Sequence, residues 1–205
     1  MSTLPPPAPR PRNAAATREA ILQAARIAFA RAGYEGAGLR EIASAAGVTA
    51  VLVNRYFGSK EQLFAEVLAA TMAQPHLLTQ DNLGSGALGE RIAAELLDIT
   101  RGDAQPLEGF QIMLRSASSE RAAQIGREQI EGHYLKLLSG ALGGEQAEQR
   151  AALVFALVAG VQVMRQMIGL SALTDAEPEA LKTLLAPLFR QLVENAPAAQ
   201  TRPTV

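Results

Sequence analysis

An all-α protein is predicted by three observations. Hydrophobic residues make up 48% of the 205-residue chain, which contains no tryptophan, and its alanine-rich segments favour helix. Apolar residues recur every three or four positions along most of the chain, as on the buried face of a helix. Glycines and prolines separate these periodic segments and end them. The segments give about nine helices, three small ones at the N-terminus and a longer helical body after them.

The two ends of the chain are predicted to lie outside the fold. Residues 1–16 hold five of the eleven prolines, with Arg10 and Arg12 among them, and this composition predicts a disordered tail. The two arginines could reach DNA phosphate or the minor groove, although a solvated tail is the favoured interpretation. Residues 197–205 are predicted to fray.

The first helix is predicted over residues 17–32. Thr17 is its N-cap, and Gly33 should end it, with Tyr34 folding back against the last turn. The inward apolar stripe of this helix consists of Ile21, Ala25, Ala28, Phe29 and Ala32.

Two short helices joined by a tight turn are predicted in residues 39–57, LREIASAAGVTAVLVNRYF. Gly47 stands where the first of them ends and the backbone turns, and Thr49 is a good N-cap for the second. Val53 and Phe57, four residues apart, are the inward anchors of that second helix. The pattern is a helix-turn-helix, whose second helix can enter a DNA major groove. A helical corner used only for packing has the same pattern.

The residues that follow extend this pattern. Ser59 and Gln62 form a capping box at the start of another amphipathic helix. From Thr17 to about Leu68 the chain resembles the DNA-binding domain of the TetR/AcrR family of repressors, a resemblance that rests on AARIAFARAGYEG, REIASAAGV and NRYFGSKEQLF. It implies an N-terminal helix-turn-helix DNA-binding domain over residues 17–60 and a C-terminal helical effector-binding and dimerisation domain over 61–196.

The outward side chains of the second short helix suit DNA. Asn54 can bond adenine and Arg55 can bond guanine or phosphate, whereas Val51 and Leu52 can press on thymine methyl groups. The resemblance implies a phosphate contact for Lys60, which adjoins a helix N-terminus. The full predicted DNA-binding set is Arg40, Thr49, Ala50, Val51, Leu52, Asn54, Arg55, Tyr56 and Lys60.

Two positions depart from the family pattern. The family commonly has an aromatic residue where Asn54 stands, and it often caps the preceding helix with Thr or Ser where this chain has Gly38. Both departures bear on which operator is read and leave the predicted fold unchanged.

Charge is divided unevenly along the chain, whose net charge is −1. Residues 1–60 carry 8 basic and 3 acidic residues, a net charge of +5, whereas the rest carries 11 basic and 17 acidic residues, a net charge of −6. A basic front on an acidic body suits a protein that meets a polyanion with one end. Chance segregation of solvated charges is the alternative.

Six further helices are predicted in the body. A helix beginning at Ser59 should end before Pro75, and residues 80–89 should form a loop. Gly102 should end the next helix, which starts near residue 88, and Pro106 should begin another.

The last three predicted helices are longer. One of the serines at 118–119 should cap a helix that Gly143 ends. A helix over residues 145–169 follows, and Pro178 begins the last one, which Pro187 should kink or divide.

A dimer is predicted from residues 152–161, which are apolar on every side and must be covered all round. One neighbouring helix can cover one side, and a second copy of the chain would cover the other, although a core helix of a monomer is the alternative. The resemblance also implies a four-helix bundle formed by the last two long helices of two copies. The predicted interface residues are Ala152, Ala156, Gly160, Leu184 and Leu188.

A small-molecule pocket in the body is implied by the resemblance, and binding there would release DNA. An apolar lining with a few polar groups is the usual form of such a site, which favours a lipophilic effector. The candidate residues, for each of which packing or solvation is the favoured alternative, are Phe110, Met113, Arg115, Gln129, His133, Tyr134, Gln162, Met164 and Arg165.

Other classes of protein are disfavoured by what the sequence lacks. The chain has no cysteine and only two histidines, no metal-ligand spacing, no Gly-rich phosphate loop and no motif joining a histidine to a carboxylate or nucleophile. It also lacks an apolar signal core or an uncharged span of membrane length, so a cytoplasmic protein without a cofactor is expected.

The predicted function is therefore a ligand-responsive transcriptional repressor that binds a pseudo-palindromic operator as a homodimer. A helical carrier and an enzyme are the alternatives. DNA retention at moderate salt separates the regulator from both, and a turnover assay separates the two alternatives from each other.

Overall fold

The structure, a computed structural model, describes residues 14–72, 78–101 and 107–194. Within these ranges helices are the only regular secondary structure, which confirms the predicted all-α class. The helices are α1 (Ala14–Gly36), α2 (Leu39–Ala45), α3 (Ala50–Phe57), α4 (Lys60–Met72), α5 (Gln80–Leu83), α6 (Leu88–Ile99), α7 (Glu108–Ser116), α8 (Glu120–Gln129), α9 (Lys136–Leu142), α10 (Ala147–Gln162), α11 (Ser171–Thr174) and α12 (Pro178–Val193). Two π-helical segments join this series, Ile130–Leu135 between α8 and α9 and Val163–Met167 after α10.

The first helix starts earlier than predicted. α1 begins at Ala14, so residues 14–16 belong to it and not to the predicted tail, because three consecutive alanines are the strongest helix formers. Thr17 is a buried position within the helix and not its N-cap. At the predicted end, the backbone of Gly33 leaves the helical conformation with φ 67° and ψ −176°, and residues 34–36 continue α1 beyond this kink. The rest of the predicted tails, and the predicted helix-ending or helix-starting residues Pro75, Gly102 and Pro106, lie outside the described residues.

Two four-residue helices were not predicted. α5 lies in the predicted loop over residues 80–89, and α11 follows the predicted helix over 145–169. The last helix runs from Pro178 to Val193 through Pro187 without dividing. The missing backbone donor of Pro187 leaves the carbonyl of Thr183 without its helical partner, and both residues are exposed to solvent.

The first apolar core joins the N-terminal helices to part of the body. Phe29 of α1 and Phe64 of α4 are fully buried, with ring centroids 5.0 Å apart in an edge-to-face arrangement. Tyr34 packs against Phe64 at the same distance. Ile112 of α7 and Ile125 of α8 are buried in the same cluster. This core therefore contains residues on both sides of the predicted domain boundary at residue 60.

The second apolar core lies between α6, α9, α10 and α12. α6 and α12 approach closely at Gly89, where an added Cβ would lie 2.6 Å from the backbone nitrogen of Arg190. The Arg190 side chain also donates from Nε to Glu90 of α6 at 2.8 Å. Phe189 and Ile92 are fully buried between the two helices.

The helix made by α10 and its π-helical extension is covered on one side only. Ala147–Met167 is long and apolar enough to cross a membrane by length and composition, with a mean hydropathy of 1.3, and 22% of its most apolar stretch is buried. Val154 and Val158 pack in the second core, and the polar residues Gln162 and Arg165 are buried in the same fold. These contacts identify a core helix with an uncovered apolar side, and they make a membrane span unconvincing.

Arg165 forms hydrogen bonds to the C-terminal end of α6. It was predicted to line the small-molecule pocket, but it lines neither of the two cavities of the body. Its Nη1 donates to the carbonyl of Leu97 and to the hydroxyl of Thr100, each at 2.9 Å. Burial lowers the pKa of Arg165. A cation at a helix C-terminus also interacts favourably with the helix dipole, so Arg165 stabilises the junction of α6 and α10.

We expect Arg165→Met to lower the free energy of unfolding by about 1.5–3 kcal/mol, because it removes charge-assisted hydrogen bonds to buried carbonyl and hydroxyl oxygens. Thermal unfolding should record a fall in Tm of roughly 2–4 °C per kcal/mol for a chain of this size. Arg91→Met, at an exposed position of α6, is the matched control and should leave Tm within about 1 °C. Equal melting of both variants would contradict the structural role of Arg165.

Candidate DNA-binding surface and ligand cavity

The predicted helix-turn-helix is formed by α2 and α3. Gly47 turns the chain between them with φ 65°, and Thr49 caps α3 by accepting a hydrogen bond from the backbone N–H of Leu52 at 3.3 Å. Val53 and Phe57 are buried in the first core, as predicted. α2 begins without a side-chain cap at Gly38. With one face of α3 anchored in this way, its other face is turned to solvent.

The predicted DNA contacts lie on that exposed face and beside it. Val51 is 79% exposed. Four further members of the set are exposed, namely Arg40, Thr49, Asn54 and Arg55, and four are partly buried, namely Ala50, Leu52, Tyr56 and Lys60. The set therefore forms one accessible surface, which we call the α3 surface.

Carboxylates divide the basic residues of this region into two groups. The three arginines of α1 are each paired with a glutamate, in the pairs Arg18–Glu66, Arg26–Glu108 and Arg31–Glu41. Arg40, Arg55 and Lys60, the cations of the α3 surface, form no ion pair within the described residues. Among the described residues of the N-terminal helices α1 to α3 and the start of α4, the cations without a carboxylate partner therefore lie where the helix-turn-helix meets solvent.

Lys60 lies in the first turn of α4, against the end of α1. Its ammonium group is 4.6 Å from the centre of the Tyr34 ring and donates to the carbonyl of Glu35 at 3.5 Å. Ser59 caps α4 by accepting from the backbone N–H of Gln62 at 3.2 Å. Hydrogen bonds from the Ser59 hydroxyl and from its own backbone N–H lower the pKa of Glu61. An anionic carboxylate thus follows Lys60 directly in the chain.

A cavity of about 200 Å³ lies in the body where α4, α7 and α10 meet the π-helical segment Ile130–Leu135. Its lining is apolar apart from a hydroxyl of α4, a phenol of the π-helical segment and an amide of α10. The lining residues are Thr71, Met72, Leu78, Leu107, Gly109, Phe110, Met113, Ile130, Tyr134, Phe155, Val158, Ala159 and Gln162. We call this space the α4 cavity.

The α4 cavity brings together some of the predicted pocket residues and not others. Those that line it are Phe110, Met113, Tyr134 and Gln162. Arg115 is exposed and donates to the carbonyl of Arg31 at 2.9 Å. His133 is exposed and stacks edge-on against Tyr134 with ring centroids 4.8 Å apart. Gln129 and the exposed Met164 also lie outside the lining.

Several lining residues were missed by the sequence analysis. Thr71 and Met72 end a helix in which no pocket residue was predicted, and Phe155 belongs to a stretch that was assigned to the dimer interface. Their helical spacing predicts burial, and only the packing of α4 against α7 and α10 turns them towards one space. No local signal distinguishes such residues from ordinary core residues.

A second, larger cleft of about 380 Å³ adjoins the α4 cavity. The two spaces share Met113, Ile130 and Phe155. The cleft differs in carrying two charged side chains, Arg127 and Glu131, on its rim. The body therefore offers an apolar inner space and a more polar outer one.

The polar groups of the α4 cavity differ in their hydrogen bonding. The hydroxyl of Tyr134 donates to the carbonyl of Met72, and burial raises the pKa of Tyr134. The hydroxyl of Thr71 donates to the carbonyls of Val67 and Leu68 at 2.9 and 3.1 Å. Nε2 of Gln162 is buried and has no hydrogen-bond partner among the described residues.

The α4 cavity and the α3 surface are connected by two routes. α4 runs from the capping residue that follows α3 to the cavity wall at Met72. α7 lines the cavity with Phe110 and reaches the end of α1, where Ser116 Oγ accepts from the backbone N–H of Tyr34 at 2.9 Å. α4 and α7 therefore join the wall of the cavity to the helices that support α3.

The side of α10 and α12 that faces away from the second core is an exposed apolar stripe. Leu184 is 68% exposed and Leu188 is 47% exposed. Ala152, Ala156 and Gly160 on α10 are also exposed, and a Cβ added at Gly160 would meet no atom within 4 Å. All five predicted interface residues therefore lie at the surface of the single chain.

Comparison with known proteins gives consistent similarities. The profile of bacterial regulatory proteins of the tetR family matches residues 21–67, and that of the tetracyclin repressor-like C-terminal domain matches residues 87–193. No curated protein matches the chain in sequence.

Solved structures resemble the chain over most of its length. A TetR-family regulator from Streptomyces coelicolor is 27% identical, with 90% of this chain and 98% of the other aligned at a TM-score of 0.57. NalD, the secondary repressor of a multidrug efflux pump in Pseudomonas aeruginosa, is 23% identical, with 90% and 100% aligned at 0.63. FadR, a fatty acid degradation regulator from Bacillus halodurans, is 20% identical, with 90% and 97% aligned at 0.60.

Proposed function

The chain belongs to the TetR family of bacterial transcriptional regulators, and on this premise we propose that it is a repressor that binds a pseudo-palindromic operator as a homodimer. The repressor would release this operator when a small lipophilic molecule occupies the body. Two-fold symmetry of the protein would be matched by two half-sites in the DNA. The observation that carries the DNA-binding part is the distribution of charge. The cations of the α3 surface form no ion pair within the described residues, whereas the arginines of α1 are paired with glutamates.

The roles proposed for individual side chains follow from their positions. Asn54 and Arg55 are exposed on α3 and would read base edges in the major groove. Lys60 would contact phosphate, with its weak 3.5 Å hydrogen bond to Glu35 exchanged for a phosphate oxygen. Arg40, at the start of α2, would reach a base edge or the phosphate beside it.

The proposed dimer is supported by the stripe on α10 and α12. Leu184 and Leu188 expose large apolar side chains, and the small residues Ala156 and Gly160 would let a second helix approach closely. Exposed apolar surface of this kind marks interaction sites on soluble proteins. The two copies would meet as a four-helix bundle, with α10 and α12 contributed by each.

Operator binding separates the proposed roles of Arg55 and Lys60. An operator can be selected from random duplex DNA. The affinity of the protein for this operator should fall as salt concentration rises, and the slope of log affinity against log salt should correspond to on the order of 6–10 neutralised phosphates per dimer. Lys60→Ala should weaken binding to all DNA sequences about equally. It should also reduce the slope by roughly one for each phosphate that the lysine no longer neutralises. Arg55→Ala should change the preference among sites by about 1–3 kcal/mol.

The matched control for both variants is Arg91→Ala, which removes an exposed arginine of α6 in the body. It should leave affinity, sequence preference and salt slope unchanged. If the Arg55 and Lys60 variants bound like wild type, or if Arg91→Ala weakened binding as much as they did, the α3 surface would not be the DNA-binding site.

A further inference from the structure

We propose that the α4 cavity selects a neutral, mainly apolar ring compound that carries a hydrogen-bond acceptor, such as a ketone or ester, and that Gln162 donates the hydrogen bond that orients it. This inference rests on the proposed effector response, for which it specifies the chemistry of the ligand. It narrows the expected lipophilic class by excluding organic cations and carboxylates.

The size of the cavity sets the size of the ligand. An apolar cavity of about 150 Å³ can hold a benzene-sized molecule. The α4 cavity has a volume of about 200 Å³, so it would hold a single ring with a short substituent. Phe110, Phe155 and the flexible side chains of Met72 and Met113 line this space and can adapt to the shape of such a ring.

The charge of the lining decides against an ionic ligand. None of the described residues that line the α4 cavity is charged, since Arg127 and Glu131 belong to the adjoining cleft. Arg165 is a buried cation three residues after Gln162, but it donates hydrogen bonds to Leu97 and Thr100. An ammonium or carboxylate group would therefore lose its hydration in the cavity without gaining a partner of opposite charge.

The polar groups of the lining identify the donor. The hydroxyls of Tyr134 and Thr71 already donate to backbone carbonyls of α4. Gln162 is 2% exposed, and its Nε2 has no hydrogen-bond partner in the part of the chain that the structure describes. A buried donor of this kind favours a ligand that brings an acceptor oxygen to it, and Gln162 therefore distinguishes a carbonyl compound from a hydrocarbon of the same shape.

The local helix geometry places Gln162 in the wall of the cavity. Gln162 is the last residue of α10, and the π-helical segment Val163–Met167 follows it at once. Across the cavity, Ile130 and Tyr134 come from the other π-helical segment. π-Helical insertions change the direction of side chains relative to a regular helix and are frequent at functional sites.

Four probes of similar size test the proposal, namely propiophenone, propylbenzene, phenethylammonium and phenylacetate, each titrated calorimetrically into the full-length protein. Propiophenone should bind about three- to tenfold more tightly than propylbenzene, the ratio expected for one neutral hydrogen bond. Both ions should bind more weakly than propylbenzene. In Gln162→Leu the advantage of propiophenone should vanish while propylbenzene binds as before.

The controls keep the outcome clear. Gln162→Leu should melt at or above the wild-type temperature, because it removes a buried unpaired donor, and Gln162→Met gives the same test if the leucine variant does not fold. Gln124→Leu, at an exposed position of α8 outside both spaces, should keep the wild-type preference. The proposal would be overturned if the two neutral probes bound equally or if an ion bound more tightly than they do. It would also be overturned if the preference for propiophenone survived in Gln162→Leu, or if none of the probes bound.

The same protein is then titrated with the selected operator in the presence of propiophenone. If the probes follow the expected order and operator affinity stays constant, the chemistry of the cavity stands and the proposed effector response fails. If the operator binds but the preference for propiophenone is absent, the inference about Gln162 fails and the DNA-binding function is unaffected.

Discussion

Gly160→Arg should convert the proposed dimer into a monomer while leaving the fold of the single chain intact. Among the described residues, a Cβ at Gly160 meets no atom within 4 Å apart from the backbone of its own helix, so the single chain has room for the arginine. In a close contact between α10 helices of two copies, the same side chain has neither space nor a partner for its charge. The cost is on the order of 3–5 kcal/mol, which is a rise of at least about 100-fold in the dimer Kd.

Sedimentation velocity at micromolar concentration measures this change. Gly140→Arg is the matched control, since Gly140 is an exposed helical glycine of α9 with the same open surroundings, and it should remain dimeric. Operator affinity of Gly160→Arg should fall with its loss of dimer, because one half-site contributes only part of the binding energy. A variant that stays dimeric, or a wild-type protein that is monomeric, would refute the proposed interface.

Gly33→Ala should cause a second large effect, at the junction of α1 with α7. Gly33 has φ 67° and ψ −176°, a conformation that is essentially restricted to glycine and costs other residues about 1–3 kcal/mol. An added Cβ would also lie 2.5 Å from the backbone oxygen of Arg115, and forcing these helices apart costs about 1–3 kcal/mol more.

A matched glycine separates these two contributions. Gly143 has nearly the same conformation, φ 57° and ψ −177°, but no atom lies within 4 Å of a Cβ added to it. Denaturant unfolding of Gly143→Ala should therefore report the backbone strain alone, and Gly33→Ala should be less stable by roughly a further 1–3 kcal/mol. Equal losses in the two variants would show that α1 and α7 are not closely packed at Gly33.

The parts of the fold that could be predicted from the sequence depend on local chemistry. Thr49 and Ser119 cap α3 and α8 with their hydroxyls, and Gly33 and Gly143 end helices with positive φ. Each signal involves residues at most four positions apart, so the sequence alone carries it. The exposed face of α3 was predictable for the same reason, because Val53 and Phe57 define its buried side.

The α4 cavity could not be predicted in this way. Its wall combines Met72, Phe110, Tyr134 and Gln162 from four separate helical segments, and their meeting depends on tertiary packing. The two π-helical segments also shift side chains away from the regular helical period on which sequence reasoning depends. Arg165 was one of the candidate pocket residues, but it contacts Thr100 at the end of α6, 65 residues earlier in the chain.

The shared first core has a consequence for how the protein is made. Phe29, Phe64 and their neighbours are synthesised early, but Ile112 and Ile125 complete the cluster that buries them. On the ribosome, the helices that read DNA therefore remain without part of their hydrophobic cover until α8 has emerged from the exit tunnel. We expect a nascent chain ending shortly after α4 to be degraded by proteases, and grafting α1–α4 onto a foreign body to require the α7–α8 corner as well.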